Sequence, residues 1–474
     1  MTYEAVIGLE THVQLRTRTK MWCGCANEYG AEANTNVCPV CIGLPGVLPV
    51  PNAEALRKTA LTGMLLNCDV PSYAKWDRKN YFYPDNPKNY QLTQLDFPST
   101  IEGFVEFEFG EGIERVRINR AHLEEDVGKS THFSDYSGVD FNRAGVPLLE
   151  IVTEPDLTGP DMAYDYLNAL KGILEYGGVS DCDMEKGQVR CDVNISVRPV
   201  GQTELGEKIE IKNMNSFSGV RRAAAYEIER QIGVLREGGT LVQETRRWDD
   251  VVGITENMRT KEDAHDYRYF PDPDLMPHTP SEEWIAEVRT SVKELPLARK
   301  QRLMADFKLP SSDAVVFVGD AALGDYFEVA AKDAKNPKAV ANWVINNLQA
   351  KLSETGSTVA DIKFQTSAIG ELVGLVEGGK ISSKIAQDVF AEMFESGKSP
   401  ATIVEEKGLS QVCDTSELQA FCNEAIEANS ASVEDFKNGK EAALNFLKGQ
   451  VMKASRGKAN PQMVGELLKE ILGS

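Results

Sequence analysis

Apolar and polar positions alternate with period two through much of the first 290 residues. From Arg190 to Arg198 the order Arg-Cys-Asp-Val-Asn-Ile-Ser-Val-Arg puts Asp192, Asn194 and Ser196 on one face of a strand and Val193, Ile195 and Val197 on the other. Lys208-Ile209-Glu210-Ile211-Lys212 repeats the device. Half-buried strands of this kind predict an antiparallel sheet with one polar face, and that face is where chemistry is to be sought. Helical spacing interrupts over Pro160–Tyr176 and Val220–Glu237, with Gly238-Gly239 closing the second helix. Thr240–Trp248 reads as loop and strand.

Beyond about residue 295 the period becomes helical and proline sparse. Ser382-Ser383 caps a helix with Ile385, Ala386, Val389, Phe390 and Met393 on one face. Asn460-Pro461 opens a last helix that buries Val464, Leu467, Leu468, Ile471 and Leu472. Ala401–Val412 reads as a connection. These shifts divide the 474 residues into a β-rich domain over 1–294, an all-α helical domain over 295–405 and a small helical tail domain over 406–474. The fold class is α+β. No run of 18 apolar residues occurs and the first residues enter a strand pattern at once, so a membrane span and a secretory leader are not expected. The expected setting is cytoplasmic or an organelle matrix.

The formal net charge of −21 repels nucleic acid as a whole-molecule field. Contact with RNA therefore needs a local basic patch. One exists: Lys437 to Lys469 carries seven basic side chains against Glu441 and Glu466, a local +5. Within it Lys448, Lys453, Arg456 and Lys458 are the candidate RNA contacts, Lys453–Lys458 reading as a loop after a helix.

Four of the nine cysteines crowd together: Cys23 and Cys25, then Cys38 and Cys41, with twelve residues between the pairs. Two close pairs of thiols match a closed tetrahedral Zn2+ site of structural type, with no open position for catalysis. The other five cysteines are scattered, as buried thiols of a reducing compartment are.

Acids and imidazoles stand in apolar strand contexts. Glu10 and His12 lie two apart and project from one face. Glu150 is flanked by Leu148, Leu149, Ile151 and Val152, an expensive place for a carboxylate unless it is paired or holds a cation. Glu124-Glu125-Asp126 adds three acids beside Arg120 and His122; adjacent strand residues face opposite ways, so only one of Glu124 and Glu125 points into a site. Acids without matching bases suggest Mg2+. Lysines, arginines and aromatics interleave over Asp77–Gln91, with Lys79 and Lys88, and again over Asp266–Pro271, which suits phosphate and a planar base. Gly128-Lys129-Ser130 is not a P-loop, because Leu123 stands where the first glycine belongs. With no Gly-x-Gly-x-x-Gly after a strand either, ATP would need a sheet cradle. No amidase signature and no N-terminal cysteine nucleophile is present.

These strings together resemble one family. Val6-Ile7-Gly8-Leu9-Glu10-Thr11-His12, Asp77-Arg78-Lys79-Asn80-Tyr81-Phe82-Tyr83-Pro84-Asp85, His122-Leu123-Glu124-Glu125-Asp126, Arg190-Cys191-Asp192-Val193-Asn194, Asp266-Tyr267-Arg268-Tyr269-Phe270-Pro271 and Gly449-Gln450-Val451-Met452-Lys453-Ala454-Ser455 are similar, in order and over the full length, to the B subunit of the heteromeric aspartyl/glutamyl-tRNA amidotransferases. The resemblance implies a cradle related to glutamine synthetase and guanido kinases for the first domain. It implies ATP-dependent phosphorylation of the side-chain carboxylate of Glu-tRNA(Gln) or Asp-tRNA(Asn), then amidation. Ammonia would come from an amidase (glutaminase) subunit, with a small third subunit as the other partner. It carries over His12, Glu125 and Glu150 as Mg2+ ligands, with Glu10 and Glu124 as second candidates. Arg190, Asp192 and Glu210 would line the ATP site or guide ammonia, and Lys79 and Lys88 would meet phosphates. The zinc fits some members and not others. Two rival readings remain on the residues alone: an ATP-dependent ligase of a free amino acid, and a non-enzymatic zinc-containing RNA-binding module.

Overall fold

The computed structural model describes residues 2–260, 266–409, 415–437, 440–455, 459 and 461–473. Thirteen strands form among them: β1 (Tyr3–Gln14), β2 (Asp77–Asn80), β3 (Tyr90–Thr93), β4 (Thr100–Phe109), β5 (Gly112–Glu125), β6 (Lys129–His132), β7 (Ser137–Asp140), β8 (Pro147–Thr153), β9 (Val189–Pro199), β10 (Ile209–Lys212), β11 (Glu244–Asp249), β12 (Ile254–Thr260) and β13 (Phe270–Pro271). Eight of them make one sheet in the order β12-β11-β10-β9-β1-β8-β5-β4, antiparallel except between β10 and β11. Three more, β13-β2-β3, form a small sheet, and β6-β7 a hairpin.

The period-two pattern sorts the large sheet into two faces. Ile7, Leu9 and Val13 of β1, Leu149 and Ile151 of β8 and Val193 and Ile195 of β9 bury on one face. Against it pack α1 (Ala53–Leu65), α2 (Pro160–Tyr176) and α3 (Phe217–Arg236), contributing Leu61, Leu65, Tyr166, Leu167, Leu170, Val220 and Ala223 to one continuous core. Helices cover only that side of the sheet within this core, which leaves the other face to polar groups. Helix α2 has the bounds its periodicity predicts, with proline in its first turn.

The chain divides into two compact units, Met1–Ala298 and Arg299–Ser474. The second is helical and holds two separate apolar clusters, one from Leu303 to Val404 and one from Leu418 to Leu472. The helix Ser383–Ser396 is capped by Ser382 and buries the five residues its spacing selects. Ala401–Val412, expected to be a connection, begins as a helix: Ser399 caps Pro400–Glu406, and Ile403 and Val404 enter the core. A seven-residue helix carries too few apolar repeats to stand out, but its serine cap and proline at the first position are its signal. Residue Asn460, the expected cap of the last helix, lies outside the described residues, while Val464, Leu467, Leu468 and Leu472 of Pro461–Gly473 are buried.

Candidate metal centres on the polar sheet face

Strand register builds the site. His12 on β1 stands opposite Glu150 on β8, and Glu150 stands opposite His122 on β5. On the other side of β1, Glu10 stands opposite Asp192 and His12 opposite Arg190, both of β9. The His12 Nε2 lies 3.3 Å from Glu150 Oε2, 3.6 Å from Glu10 Oε1 and 3.7 Å from Glu124 Oε1. Ligand atoms of His12, Glu124 and Glu150 all come within 4.8 Å of one another, and so do those of Glu10, His12 and Asp192.

The pairing with Glu150 decides between the two adjacent glutamates. His122 and Glu124, two apart on β5, share the face of Glu150; Glu125 faces the other way. Its buried carboxylate accepts from the backbone N–H of Leu92 at 3.0 Å and pairs with Lys88. Glu125, expected to join His12 and Glu150, is turned away from them, and Glu124 is the glutamate beside them. Lys88, expected to meet phosphates, pairs with Glu125 and lies over the Tyr90 ring.

Electrostatics at this cluster are those of a place short of positive charge. Burial works against the His12 imidazolium, but its hydrogen bond with Glu150 and the charges of Glu124, Glu150 and Glu10 outweigh burial and push its pKa up to about 9. Burial and the charge of Glu150 lift the carboxyl of Glu124, and the same two causes lift Glu10. Glu150 is held well below its ordinary range: burial opposes this, but His122 and His12 on either side outweigh it.

Neighbouring groups are committed to partners. Arg190 bonds the buried Asp126 at 2.9 Å, and the Gln14 amide donates to the same carboxylate at 2.9 Å. Lys212 bridges Asp192 and Glu210, 3.1 Å from Glu210, and Thr245 donates to Glu210 at 2.8 Å. Lys79 does approach the cluster: burial disfavours its charge, and Glu124, Tyr269 and Glu150 outweigh that. Its ammonium sits 4.9 Å from the centre of the Tyr267 ring. The two cation–aromatic segments therefore meet, because Phe270 pairs with Arg78 and the Asn80 amide donates to the carbonyl of Arg268 at 2.8 Å. On the same face, beyond Glu10, a hollow of about 240 Å³ is lined by Val6, Gly8, Val152, Pro155, Asn194 and Leu205, among others.

Three participants have no site role in the sequence reading: His122, Lys212 and Asp126. His122 had a signal, since it stands two residues before Glu124 and shares its strand parity. Asp126 stands in the run of three acids, but its partner Arg190, like the partner Asp192 of Lys212, is set by pairing across strands.

The four cysteines Cys23, Cys25, Cys38 and Cys41 also bring their sulfurs within 4.8 Å of one another. Cys41 accepts the backbone N–H of Cys38 at 3.1 Å. Its thiol is pushed down to about 4, chiefly by the Cys23 thiol, against burial, with help from the Cys38 backbone and Lys20. Gly43 closes the turn with φ of 70°, and a Cβ there would lie 2.7 Å from Lys88 Cγ. In the tail, Lys453 is exposed on the helix Glu441–Ala454 and Lys448 lies half-buried, its ammonium beside Gly465 of the next helix. Arg456 and Lys458 lie outside the described residues. Among the described residues no helix is long and apolar enough to cross a membrane.

Comparison with known proteins shows the family. Residues 5–286 match the family model described as GatB/GatE catalytic domain, and residues 325–472 match the GatB domain. Proteins of Thermoanaerobacter sp. and Carboxydothermus hydrogenoformans, each named as the B subunit of an aspartyl/glutamyl-tRNA(Asn/Gln) amidotransferase, are 52% identical to the chain, over 100% of both chains in the first case and 99% of both in the second. A protein of the same name from Brevibacillus brevis is 50% identical over 100% of this chain and 99% of its own.

Proposed function

The chain belongs to the B-subunit family of the aspartyl/glutamyl-tRNA(Asn/Gln) amidotransferases, and from that premise we propose that its polar sheet face phosphorylates the side-chain carboxylate of tRNA-linked glutamate or aspartate. The enzyme is a glutamine-hydrolysing ligase of protein biosynthesis, and this chain acts as part of the complex. A free-amino-acid ligase and a non-enzymatic zinc and RNA module are not what its full-length relatives are named for.

The carboxylate attacks the γ-phosphorus of ATP, ADP leaves, and ammonia displaces phosphate from the acyl phosphate to give the amide. Phosphoryl transfer of this kind needs positioning and charge neutralisation rather than a protein nucleophile. The residues of the free chain fit Mg2+: two carboxylates and one imidazole converge, and the proton held on His12 marks where positive charge is wanted. His12, Glu124 and Glu150 would hold the ion, whose contribution is to offset repulsion between two anionic reactants. Glu10 and Asp192 form a second acidic group on the same surface. Lys79, whose charge Glu124 and Glu150 favour, would meet a phosphate oxygen, and the hollow of about 240 Å³ at Gly8 would take the adenine ring. Arg190, Asp192 and Glu210 edge the path that ATP or ammonia would take.

The remaining proposals follow the same premise. The polar face is the floor of a cradle of the glutamine synthetase and guanido kinase type. The chain divides as 1–294, 295–405 and 406–474. Zn2+ sits on the four cysteines as a structural ion. An amidase (glutaminase) subunit supplies ammonia, because this chain has no glutaminase motif, and a small third subunit joins the assembly. The basic tail meets tRNA, with Lys453 as a described contact. The setting is a reducing one, the cytoplasm or an organelle matrix.

The convergence of His12, Glu124 and Glu150 carries the central reading. Its test compares Glu124→Gln with Glu125→Gln in the assembled enzyme. Glu124→Gln should abolish ATP- and tRNA-dependent amide formation and weaken divalent-cation binding. Glu125→Gln should leave cation binding intact, and the opposite ranking would refute the assignment.

A further inference from the structure

Glu150 has an imidazole on each side, and only one of them belongs to the ion-binding group. His122 Nε2 lies 3.4 Å from Glu150 Oε2, the same oxygen that His12 approaches at 3.3 Å. Three adjacent strands, β1, β8 and β5, thus carry the row His12–Glu150–His122 at one level of the sheet. His122 touches Glu150 but is not one of the three residues, His12, Glu124 and Glu150, whose ligand atoms all lie within 4.8 Å of one another. It is only 4% exposed, and its Nδ1 is buried without a hydrogen-bond partner. A proton on Nδ1 would be a buried donor with nothing to bond. The ring is therefore best satisfied with its proton on Nε2, donated to the Glu150 carboxylate.

We propose that His122 is a positioning residue: from β5 it holds Glu150 in place for a divalent cation that His12, Glu124 and Glu150 ligate. This rests on the cation reading above. Of the two imidazoles beside Glu150, His12 belongs to the ion-binding group. His122 is the other. Groups behind a ligand fix its rotamer and its basicity, and removing one lowers metal affinity by about 10- to 100-fold.

The test uses the assembled enzyme with His122→Ala and His122→Gln, the second keeping an N–H donor near the position of Nε2. Mn2+ affinity is read from the free-ion paramagnetic resonance signal, with Mg2+ as competitor, beside zinc content and melting temperature. His122→Ala should weaken Mn2+ binding by about 10- to 100-fold. It should raise the Mg2+ concentration for half-maximal amidation by a similar factor, with most of kcat recovered at saturating Mg2+. His122→Gln should stay within a few-fold of the parent in both. Unchanged Mn2+ affinity in His122→Ala overturns the inference, and so does a His122→Gln variant as weak as His122→Ala. If the parent enzyme itself binds no Mn2+ at this face, the cation reading falls and this inference with it; if the parent binds and His122→Ala binds equally, only this inference falls.

Discussion

Replacing Glu150 by glutamine keeps its shape and removes the charge that two imidazoles share. The structure sets the size of the effect. His12 is lifted from an ordinary 6.5 to about 9, and the hydrogen bond with Glu150 is the largest cause favouring the charged ring, followed by the charges of Glu124, Glu150 and Glu10. A lift of that size corresponds to roughly 3 kcal/mol in favour of imidazolium. Because the folded pKa is the higher one, this stabilisation is fully present below about pH 6.5 and disappears as pH rises through about 9. In Glu150→Gln the His12 titration should move down toward its ordinary value, and the pH-dependent part of the stability should shrink with it. Breaking a buried charge pair costs on the order of 3–5 kcal/mol, so amide formation should fall by roughly two to four powers of ten if that loss is felt in the transition state. The assay is NMR of histidine-labelled chain without added divalent cation, five histidines being few enough to assign with His12→Gln, alongside amidation of misacylated tRNA. Binding of tRNA should persist. An unmoved His12 titration, or amidation within tenfold of the parent, would refute the reasoning.

Further outcomes are expected away from this row. Gly43→Ala forces a side chain into a left-handed backbone and against Lys88, and should cost about 1–3 kcal/mol in a chemical denaturation curve. Cys41→Ser should remove bound zinc in elemental analysis while amide formation per folded enzyme persists, as a structural ion implies; a variant that kept its zinc would show the cysteines are not its ligands. Lys453→Glu should weaken tRNA binding at low salt, with the difference narrowing as salt rises. Equal affinity across the salt series would exclude Lys453 from the tRNA surface.

Much of this fold is legible in the chain because burial repeats with the period of the element. Alternation from Arg190 to Arg198 separates polar Asp192 and Asn194 from buried Val193 and Ile195, and the neighbouring strand β10 repeats the division with Ile209 and Ile211 buried. The Ser382 cap and the apolar stripe behind it were likewise visible. The choice between Glu124 and Glu125 was not settled by a run of three acids, since parity says that one faces in and not which one. Pairing of β5 with β8 supplies the missing anchor, by setting His122 opposite Glu150. The capture of Lys88 by Glu125 and the meeting of Lys79 with Tyr267 join segments far apart in sequence, and no local pattern announces such contacts. The helix at Pro400–Glu406 reads as a connection because seven residues carry too few apolar repeats to stand out.

The position of a divalent cation decides the central claim. Crystals of the assembled enzyme soaked in Mn2+ and recorded at an anomalous wavelength would locate it directly. The expected result is a peak at ligand distance, about 2.0–2.3 Å, from His12 Nε2 and from carboxylate oxygens of Glu124 and Glu150. A peak on the Glu125–Lys88 side of β5, or none at this face under conditions that support catalysis, would contradict it.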